Sequence, residues 1–113
     1  MLQEAQAAAV EAAVVGTPCE DVDGVARRVI TEGGYGPQFI HRTGHGIGLE
    51  EHEDPYLVGG NCEALAPGHA FSVEPGIYIE ARWGARIEDI VVATADGPDA
   101  LNRVSHDLIV VDA

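Results

Sequence analysis

The apolar residues of this 113-residue chain change their spacing after Gly34, and that change limits which folds are open to it. Up to that point they recur every three or four positions, which is the period of a helix packed on a core. From Phe39 onward they form short runs separated by Gly and Pro, a pattern typical of strands and turns. The sequence therefore predicts an α+β fold in one small domain, with two helices packed on a mostly antiparallel sheet.

Two helices are predicted before the sheet begins. Leu2 to Val15 is rich in alanine and places its apolar residues on one face. The second helix is predicted to begin with Thr17 as its cap, Pro18 in the first position and Glu20 completing a capping box. It is predicted to end at Gly33-Gly34. The buried stripe of this helix is predicted to consist of Val22, Val25, Ala26, Val29 and Ile30.

The strands are predicted from alternation and from turn residues. Phe71 to Glu74 alternates apolar and polar side chains, and Pro75-Gly76 marks a bend before Ile77 to Ile79. A hairpin around Trp83-Gly84 is expected to return the chain into a strand from Ala85 to Val92. The pattern thus predicts consecutive antiparallel strands over this stretch.

The remaining features after Phe39 have simpler interpretations. The tail is predicted to turn at residues 96–98 and to end in a short strand from Leu108 to Val111. His69 is expected to be a turn residue beside a strand, and His106 has no partner suggested by the sequence. Trp83 is expected to pack at the hairpin, with a place at a substrate opening as the alternative.

Charge narrows the range of partners. The chain has 6 Lys and Arg residues against 19 Asp and Glu, a net charge of −13, and so lacks the basic surface that binds nucleic-acid phosphates. The first residues lack the basic segment of a secretory signal, and no apolar run approaches the roughly 20 residues of a membrane span. Cys19 and Cys62 lie far apart and are expected to be free thiols. We therefore expect a cytoplasmic protein with no nucleic-acid or membrane partner.

Histidines are concentrated in the middle of the chain. His41, His45, His52 and His69 lie within 29 residues of one another. Histidine is the commonest metal ligand and a proton carrier near neutral pH. His45 stands between two glycines, which let the backbone and a substrate approach its imidazole closely. This setting favours a functional role for His45 over a structural or merely exposed one.

Two glutamates in the predicted sheet complete a possible donor set. Glu74 and Glu88 each have apolar neighbours along the chain. Because residues two apart on a strand share a face, Arg86 and Glu88 should point the same way. Glu88 taken alone also fits a buried ion pair with Arg86 or a solvent-facing position. Together with His45, the two glutamates would form a mixed nitrogen and oxygen set suited to Mn, Co, Fe or Zn.

Three ordered motifs carry a resemblance to a known family. They are the stretch His41 to Tyr56 around Gly44-His45-Gly46-Ile47-Gly48, then Val73-Glu74-Pro75-Gly76-Ile77-Tyr78, then Arg86-Ile87-Glu88-Asp89. Together they resemble the histidine signature and the glutamate motifs of the creatinase/methionine aminopeptidase superfamily. The resemblance spans nearly the whole chain and implies that residues 1–113 form the C-terminal half of a pita-bread catalytic domain, with two helices on a curved sheet. His41 and the continuation Glu53-Asp54-Pro55-Tyr56 favour the Xaa-Pro dipeptidase and aminopeptidase branch.

The resemblance implies a site for two divalent metal ions. His45 would be a ligand of one ion, Glu74 a ligand that also shuttles the proton of the attacking water, and Glu88 a bridge between both ions. A pair of ions about 3.5–4 Å apart can polarise the scissile carbonyl together. The implied cofactors are Mn, Co, Zn or Fe.

The same resemblance assigns catalytic roles to further residues. His52 would contact the substrate and donate to the developing oxyanion. His41 would be an additional active-site histidine of the Xaa-Pro branch, and Arg86 the arginine beside the bridging glutamate. The implied activity is hydrolysis of the bond before proline in proline-containing peptides.

Part of the family's site has no counterpart in this sequence. The family also uses a pair of aspartates from an upstream Asp-Gly segment, whereas Asp21, Asp23 and Asp54 lie at a helix start or beside the histidine motif. We therefore expect a half-domain that needs an N-terminal half or another protomer and that forms a homodimer when complete. Alone, it should bind at most one metal ion weakly, be inactive, and be poorly stable or self-associating, because it exposes an apolar face and a sheet edge.

Two alternatives to a metallopeptidase stay open from the sequence. A creatinase-like amidinohydrolase shares the pita-bread fold and need not use a metal. A non-catalytic pita-bread protein would use the same scaffold to bind peptides. The joint presence of His45, Glu74 and Glu88 favours the metallopeptidase over both.

Overall fold

A computed structural model describes residues 1–113 and contains the two helices that the sequence predicts. Helix α1 spans Leu2–Ala12, helix α2 spans Cys19–Glu32, and a short 3-10 turn follows at Gly36–Gln38. Each helix buries one face against the other helix and the sheet, with Ala5 on α1 and Ile30 on α2 both fully buried. Neither helix is long and apolar enough to cross a membrane.

Seven strands follow the helices. In chain order they are β1 Gly44–Gly46, β2 Glu53–Leu57, β3 Ala70–Val73, β4 Gly76–Ile79, β5 Trp83–Arg86, β6 Asp89–Thr94 and β7 Gly97–Ala100. A five-stranded antiparallel sheet has the order β2-β1-β3-β6-β7, and β4 and β5 form a separate two-stranded hairpin. The core lies between the helices and the larger sheet, with Phe71 and Leu57 among its largest fully buried side chains. The predicted α+β architecture is confirmed.

Two chain segments connect the larger sheet with the hairpin, one from β3 to β4 and the other from β5 to β6. Strand pairing is interrupted in both segments at the same place, which we call the break. The last pair of the larger sheet is Val73 with Asp89, and the first pair of the hairpin is Gly76 with Arg86. The predicted strand from Ala85 to Val92 is therefore wrong as a single strand. It divides because its two parts pair with β4 and with β3, which diverge at Pro75.

The predicted capping box at the start of α2 is also wrong. Pro18 precedes the helix, and no side chain caps it. Thr17 is instead held by its backbone, because its carbonyl accepts from the Leu65 N–H. The Glu20 carboxylate accepts from the Gly60 N–H and from the Cys62 thiol. Helix α1 likewise ends at Ala12, earlier than predicted.

Turns and the tail differ from the prediction in position. The hairpin turn lies at residues 80–82, where Ala81 has a positive φ of 59°, whereas Trp83 and Gly84 pair within β5. The turn before β7 lies at residues 95–96, so residues 97 and 98 belong to the strand. Leu108 to Val111 form no strand and are largely exposed. This run finds no strand partner within the chain, so its β-branched composition does not produce a strand.

Candidate active site

The break between the two sheets opens into a cavity of about 520 Å³. An adjoining cavity of about 300 Å³ shares four of its lining residues and adds Glu88. The structure thus brings the six predicted site residues to one place. The larger cavity is lined by His41, Arg42, His45, His52, Val58, Glu74 and Arg86.

His45 and Glu74 form a close pair of side chains in the cavity. His45 lies on β1, and Glu74 directly follows β3, the neighbouring strand. The His45 Nε2 atom lies 3.0 Å from Glu74 Oε1, and both side chains are largely buried. His45 Nδ1 lies 3.0 Å from the Gly46 carbonyl, which can only accept, so Nδ1 carries a hydrogen. Nε2 then faces a carboxylate oxygen, and this arrangement needs a shared proton or a bound cation between the two atoms.

The sheet holds this pair in place from both sides. Buried Ser72 accepts from the His45 N–H at 3.1 Å and donates its hydroxyl to Glu74 Oε1 at 2.9 Å. A side chain at Gly44 would overlap the Ser72 carbonyl oxygen, and one at Gly46 would overlap backbone of β2. The glycines that flank His45 therefore permit the close approach of three strands around the imidazole.

Arg86 and Glu88 lie on the outer side of the same cavity. Arg86 Nε is 3.7 Å from Glu74 Oε2 and also 3.7 Å from Glu88 Oε2. Arg86 and Glu88 do approach each other as predicted, although Glu88 lies in the break and not within a strand. The Arg86 side chain is 52% exposed and that of Glu88 is 41% exposed, so solvent screens this pair.

His41 and His52 flank the pair at different depths. His41 Nδ1 lies 2.7 Å from the Arg42 carbonyl and therefore carries a hydrogen, so its Nε2 atom can accept from the Tyr78 hydroxyl at 2.8 Å. The imidazole of His52 is exposed, and its ring centroid lies 4.2 Å from that of His45. His41 is thus fixed by two hydrogen bonds, whereas His52 lines the cavity from an exposed position beside the His45 ring.

His45 and Glu74 have donor atoms of the types that bind divalent ions, but the cavity does not contain a complete set of ligands. Ligand distances of about 2.1 Å at right angles place two donor atoms about 3 Å apart, which is the separation of His45 Nε2 and Glu74 Oε1. No group of three or more His, Cys, Asp or Glu side chains is close enough to hold one ion. The Arg86 guanidinium lies between Glu74 and Glu88.

Sequence reasoning did not single out several residues of the site. Ser72 lies two positions before Glu74, so the alternation from Phe71 to Glu74 would have placed both on one face. Tyr78 alternates with buried Ile77 and would have been assigned to the opposite, cavity side by the same rule. Arg42 lines the cavity and lies over the Tyr56 ring at 4.8 Å, which no sequence pattern indicated.

The minor candidates lie away from the cavity. His69 follows a turn, and its Nδ1 atom accepts from the Ala66 N–H at 3.0 Å. His106 has a partner that the sequence did not suggest, since its Nε2 atom lies 3.0 Å from buried Asp89. Trp83 is half exposed on the hairpin and lies 6.5 Å from Tyr35 between ring centroids.

Comparison with known proteins places the chain in a family. The model of metallopeptidase family M24 matches residues 1–95. The chain belongs to this family. The family match and the architecture agree with the resemblance that the three motifs carry.

Individual relatives and solved structures agree with the family match. The probable dipeptidase PepE of Mycobacterium tuberculosis is 59% identical over 111 residues, which is 98% of this chain and 30% of that protein. The Xaa-Pro dipeptidase of Lactobacillus delbrueckii is 50% identical over 95% of this chain and 29% of that protein. The crystal structure of dipeptidase PepE from Mycobacterium ulcerans superposes with a TM-score of 0.94 at 54% identity, over 96% of this chain and 29% of that one.

A prolidase structure shows the same relation at greater distance. The prolidase from Pyrococcus furiosus superposes with a TM-score of 0.91 at 44% identity, over 93% of this chain and 31% of that one. The chain therefore spans about 30% of the length of the relatives that it matches. The fold is that of one part of a pita-bread prolidase.

Proposed function

We propose that this chain supplies part of the active site of a metal-dependent Xaa-Pro peptidase, a dipeptidase or aminopeptidase that hydrolyses the bond before proline. The observation that carries the proposal is the buried His45–Glu74 pair at 3.0 Å, which needs a proton or a cation between its facing lone pairs. The similarity to dipeptidases supports a peptidase over a creatinase-like enzyme. The presence of every ligand-type residue of the three motifs argues against a purely peptide-binding protein.

His45, Glu74 and Glu88 would hold the metal ions, which we propose to be Mn, Co, Zn or Fe. Two such ions would polarise the scissile carbonyl and lower the pKa of the attacking water. This chain alone is proposed to hold at most one ion weakly, since its donors form no group of three. The remaining aspartate ligands would come from an N-terminal half or from another protomer.

Glu74 is the residue that we assign to proton transfer. Its Oε1 atom is held by Ser72 and His45, whereas Oε2 is directed toward Arg86 and the cavity. Glu74 would take a proton from the attacking water and deliver it to the proline nitrogen as the bond to the carbonyl carbon breaks. The carboxylate returns to its starting state, so the proton balance closes within one turnover.

The other cavity residues would bind and orient the peptide. His52 is exposed at the cavity edge and would donate to the oxyanion that develops on the scissile carbonyl. His41 is held by Arg42 and Tyr78 and would form one wall of the substrate site. Arg86 would hold Glu74 and Glu88 in position through its two contacts.

We also propose the substrate, oligomeric state and compartment of the complete protein. The substrate is a proline-containing peptide, the complete protein is a homodimer in the cytoplasm, and neither nucleic acid nor membrane is a partner. The excess of acidic residues, with a net charge of −13, supports the absence of nucleic-acid binding.

Calorimetric titration with MnCl₂ tests the ligand assignment. We expect weak binding by the wild type and binding at least roughly tenfold weaker by His45→Ala and Glu74→Gln, with a smaller loss for Glu88→Ala. Glu80→Ala is the matched control, because Glu80 is an exposed carboxylate in the hairpin turn. Equal binding by the wild type and all variants would discard the assignment.

An assay on an Xaa-Pro dipeptide tests the proposal that the chain holds only part of the site. We expect no turnover by the chain alone with Mn²⁺ present. A folded monomer that hydrolyses the dipeptide would contradict the proposed need for a second half.

A further inference from the structure

A buried polar cluster lies behind the cavity, on the side of helix α2. It consists of Asp23, Arg27 and Thr43, which we call the α2 node. Asp23 is only 3% exposed although it carries a carboxylate. Its Oδ1 atom accepts from the Thr43 hydroxyl at 2.8 Å and from the Thr43 N–H at 3.0 Å, and the Arg27 guanidinium donates to both of its oxygens at 3.1 Å. This carboxylate is fully paired in the protein interior.

The guanidinium of Arg27 is directed at the segment that leads to the histidine motif. It donates to the Phe39 carbonyl and to the His41 carbonyl, each at 2.9 Å. It also lies 4.1 Å over the Phe39 ring, which makes a T-shaped contact with the His41 imidazole. All hydrogen bonds of Arg27 therefore go either to Asp23 or to the backbone that carries His41.

Thr43 connects the same cluster to the glutamate side of the site. Its carbonyl accepts from the Glu74 N–H at 2.7 Å, and its side chain is fully buried. Along the chain, Thr43 follows the site residue His41 by two positions and directly precedes the strand β1 that carries His45. The α2 node thus contacts the backbone of both His41 and Glu74.

We infer that the α2 node is a positioning device that fixes His41 and Glu74 relative to each other, an inference that rests on the proposed function of those residues. A buried ion pair is weak support for stability by itself, whereas this one donates to the His41 carbonyl and is joined through Thr43 to the Glu74 N–H. The device explains why a charged residue is buried on the apolar face of α2. Asp23 and Arg27 touch no substrate and act through the segments that they hold.

The first test is amide hydrogen exchange in Thr43→Val, a variant with the same shape but no hydroxyl. We expect the Glu74 amide to exchange roughly fivefold to tenfold faster, while the amides of Phe71 and Val91 in the sheet centre keep their rates. Thr43→Ser retains the hydroxyl and should restore the slow exchange at Glu74. Equal acceleration of all these amides would reduce the node to a stability role and overturn the inference.

The second test uses the imidazole signals of the chain in NMR spectra at fixed pH. Arg27→Lys keeps the charge but cannot donate to Asp23 and to both carbonyls at once. We expect the His41 signals to shift, while His69 and His106, which lie elsewhere, serve as internal references. Arg28→Lys is the matched control, because Arg28 is exposed on the same helix.

Metal binding separates failure of the inference from failure of the proposed function. If the function holds, Thr43→Val and Arg27→Lys should weaken Mn²⁺ binding roughly tenfold relative to Arg28→Lys. If neither the wild type nor any variant binds Mn²⁺ but exchange and imidazole signals change as expected, the proposed metal binding by this chain fails and the positioning role stands. Unchanged His41 signals in Arg27→Lys, or a wild type without dispersed imidazole signals, would overturn the positioning role.

Discussion

The two sides of the cavity are built differently. The inner side, His45 with Ser72 and Glu74, is buried and joined by hydrogen bonds of 2.9 to 3.1 Å. The outer side, Arg86 with Glu88, is about half exposed and joined only by contacts of 3.7 Å. The chain therefore organises one side of its site through its own sheet and leaves the other side to solvent. Substitutions on the two sides test that contrast.

The largest effect is expected from Gly44→Ala on the inner side. The new methyl group would overlap the Ser72 carbonyl oxygen, and backbone cannot move aside without separating β1 from β3. We expect a loss of about 3 kcal/mol or more in the free energy of unfolding, measured by urea denaturation. Gly59→Ala is the control, since nothing lies within 4 Å of a side chain there and its φ is not positive. It should change stability by less than about 0.5 kcal/mol.

Alkaline pH is expected to have the next largest effect on stability, through Cys19 at the start of helix α2. Burial, and secondly the negative charge of Glu63, raise the pKa of the Cys19 thiol from 9.0 to about 11. The unfolded chain then loses this proton near pH 9 and the folded chain only near pH 11. The stabilisation is present below pH 9 and is lost as pH rises to 11, by about 3 kcal/mol at most.

Urea denaturation at pH 8, 9, 10 and 11 would measure this fall. Cys19→Ala should flatten the profile over that interval, whereas Cys62→Ala, at the exposed thiol, should keep most of the fall. A Cys19→Ala profile as steep as that of the wild type would show that another group titrates.

A smaller effect is expected from Ser72→Ala. The variant leaves the buried His45 N–H without its acceptor and removes one donor to Glu74 Oε1. We expect a loss of about 1–2 kcal/mol in the free energy of unfolding and weaker Mn²⁺ binding. Ser105→Ala, at an exposed serine of the tail, should have no measurable effect on either. An unchanged stability of Ser72→Ala would show that the inner side is not held as the hydrogen bonds suggest.

The inner side was partly predictable from sequence because local patterns encode it. The apolar stripe of α2 and the glycines beside His45 indicated a helix and a close approach, and both are present. Glu74 on this side was identified through its motif, as was Glu88 on the outer side. Asp23 was read as a polar residue of a helix start, because nothing local shows that Thr43, 20 residues later, would bury it.

The structure of the outer side and of the tail could not be predicted from sequence, because it depends on contacts that no local pattern encodes. The run from Ala85 to Val92 has no Gly or Pro at its middle, so the division at Ile87 and Glu88 follows only from which strands pair with each part. Leu108 to Val111 has the composition of a strand, yet a strand needs a partner, and here the run has none. His106 pairs with Asp89 from 17 residues away, a contact set by the path of the tail.

The smallest effect is expected from Arg86→Gln on the outer side. Its contacts with Glu74 and Glu88 are 3.7 Å long and exposed to solvent, which screens the charges. Because the contacts then contribute little to the free energy of unfolding, removal of the charge should change it by less than about 0.5 kcal/mol. Arg82→Gln, with the same charge change on the same hairpin, is the control. Both variants should unfold at nearly the same urea concentration as the wild type, at low and at high salt. A loss above about 1.5 kcal/mol for Arg86→Gln alone would mean that the outer side is as firmly built as the inner side, because exposed ion pairs do not contribute that much.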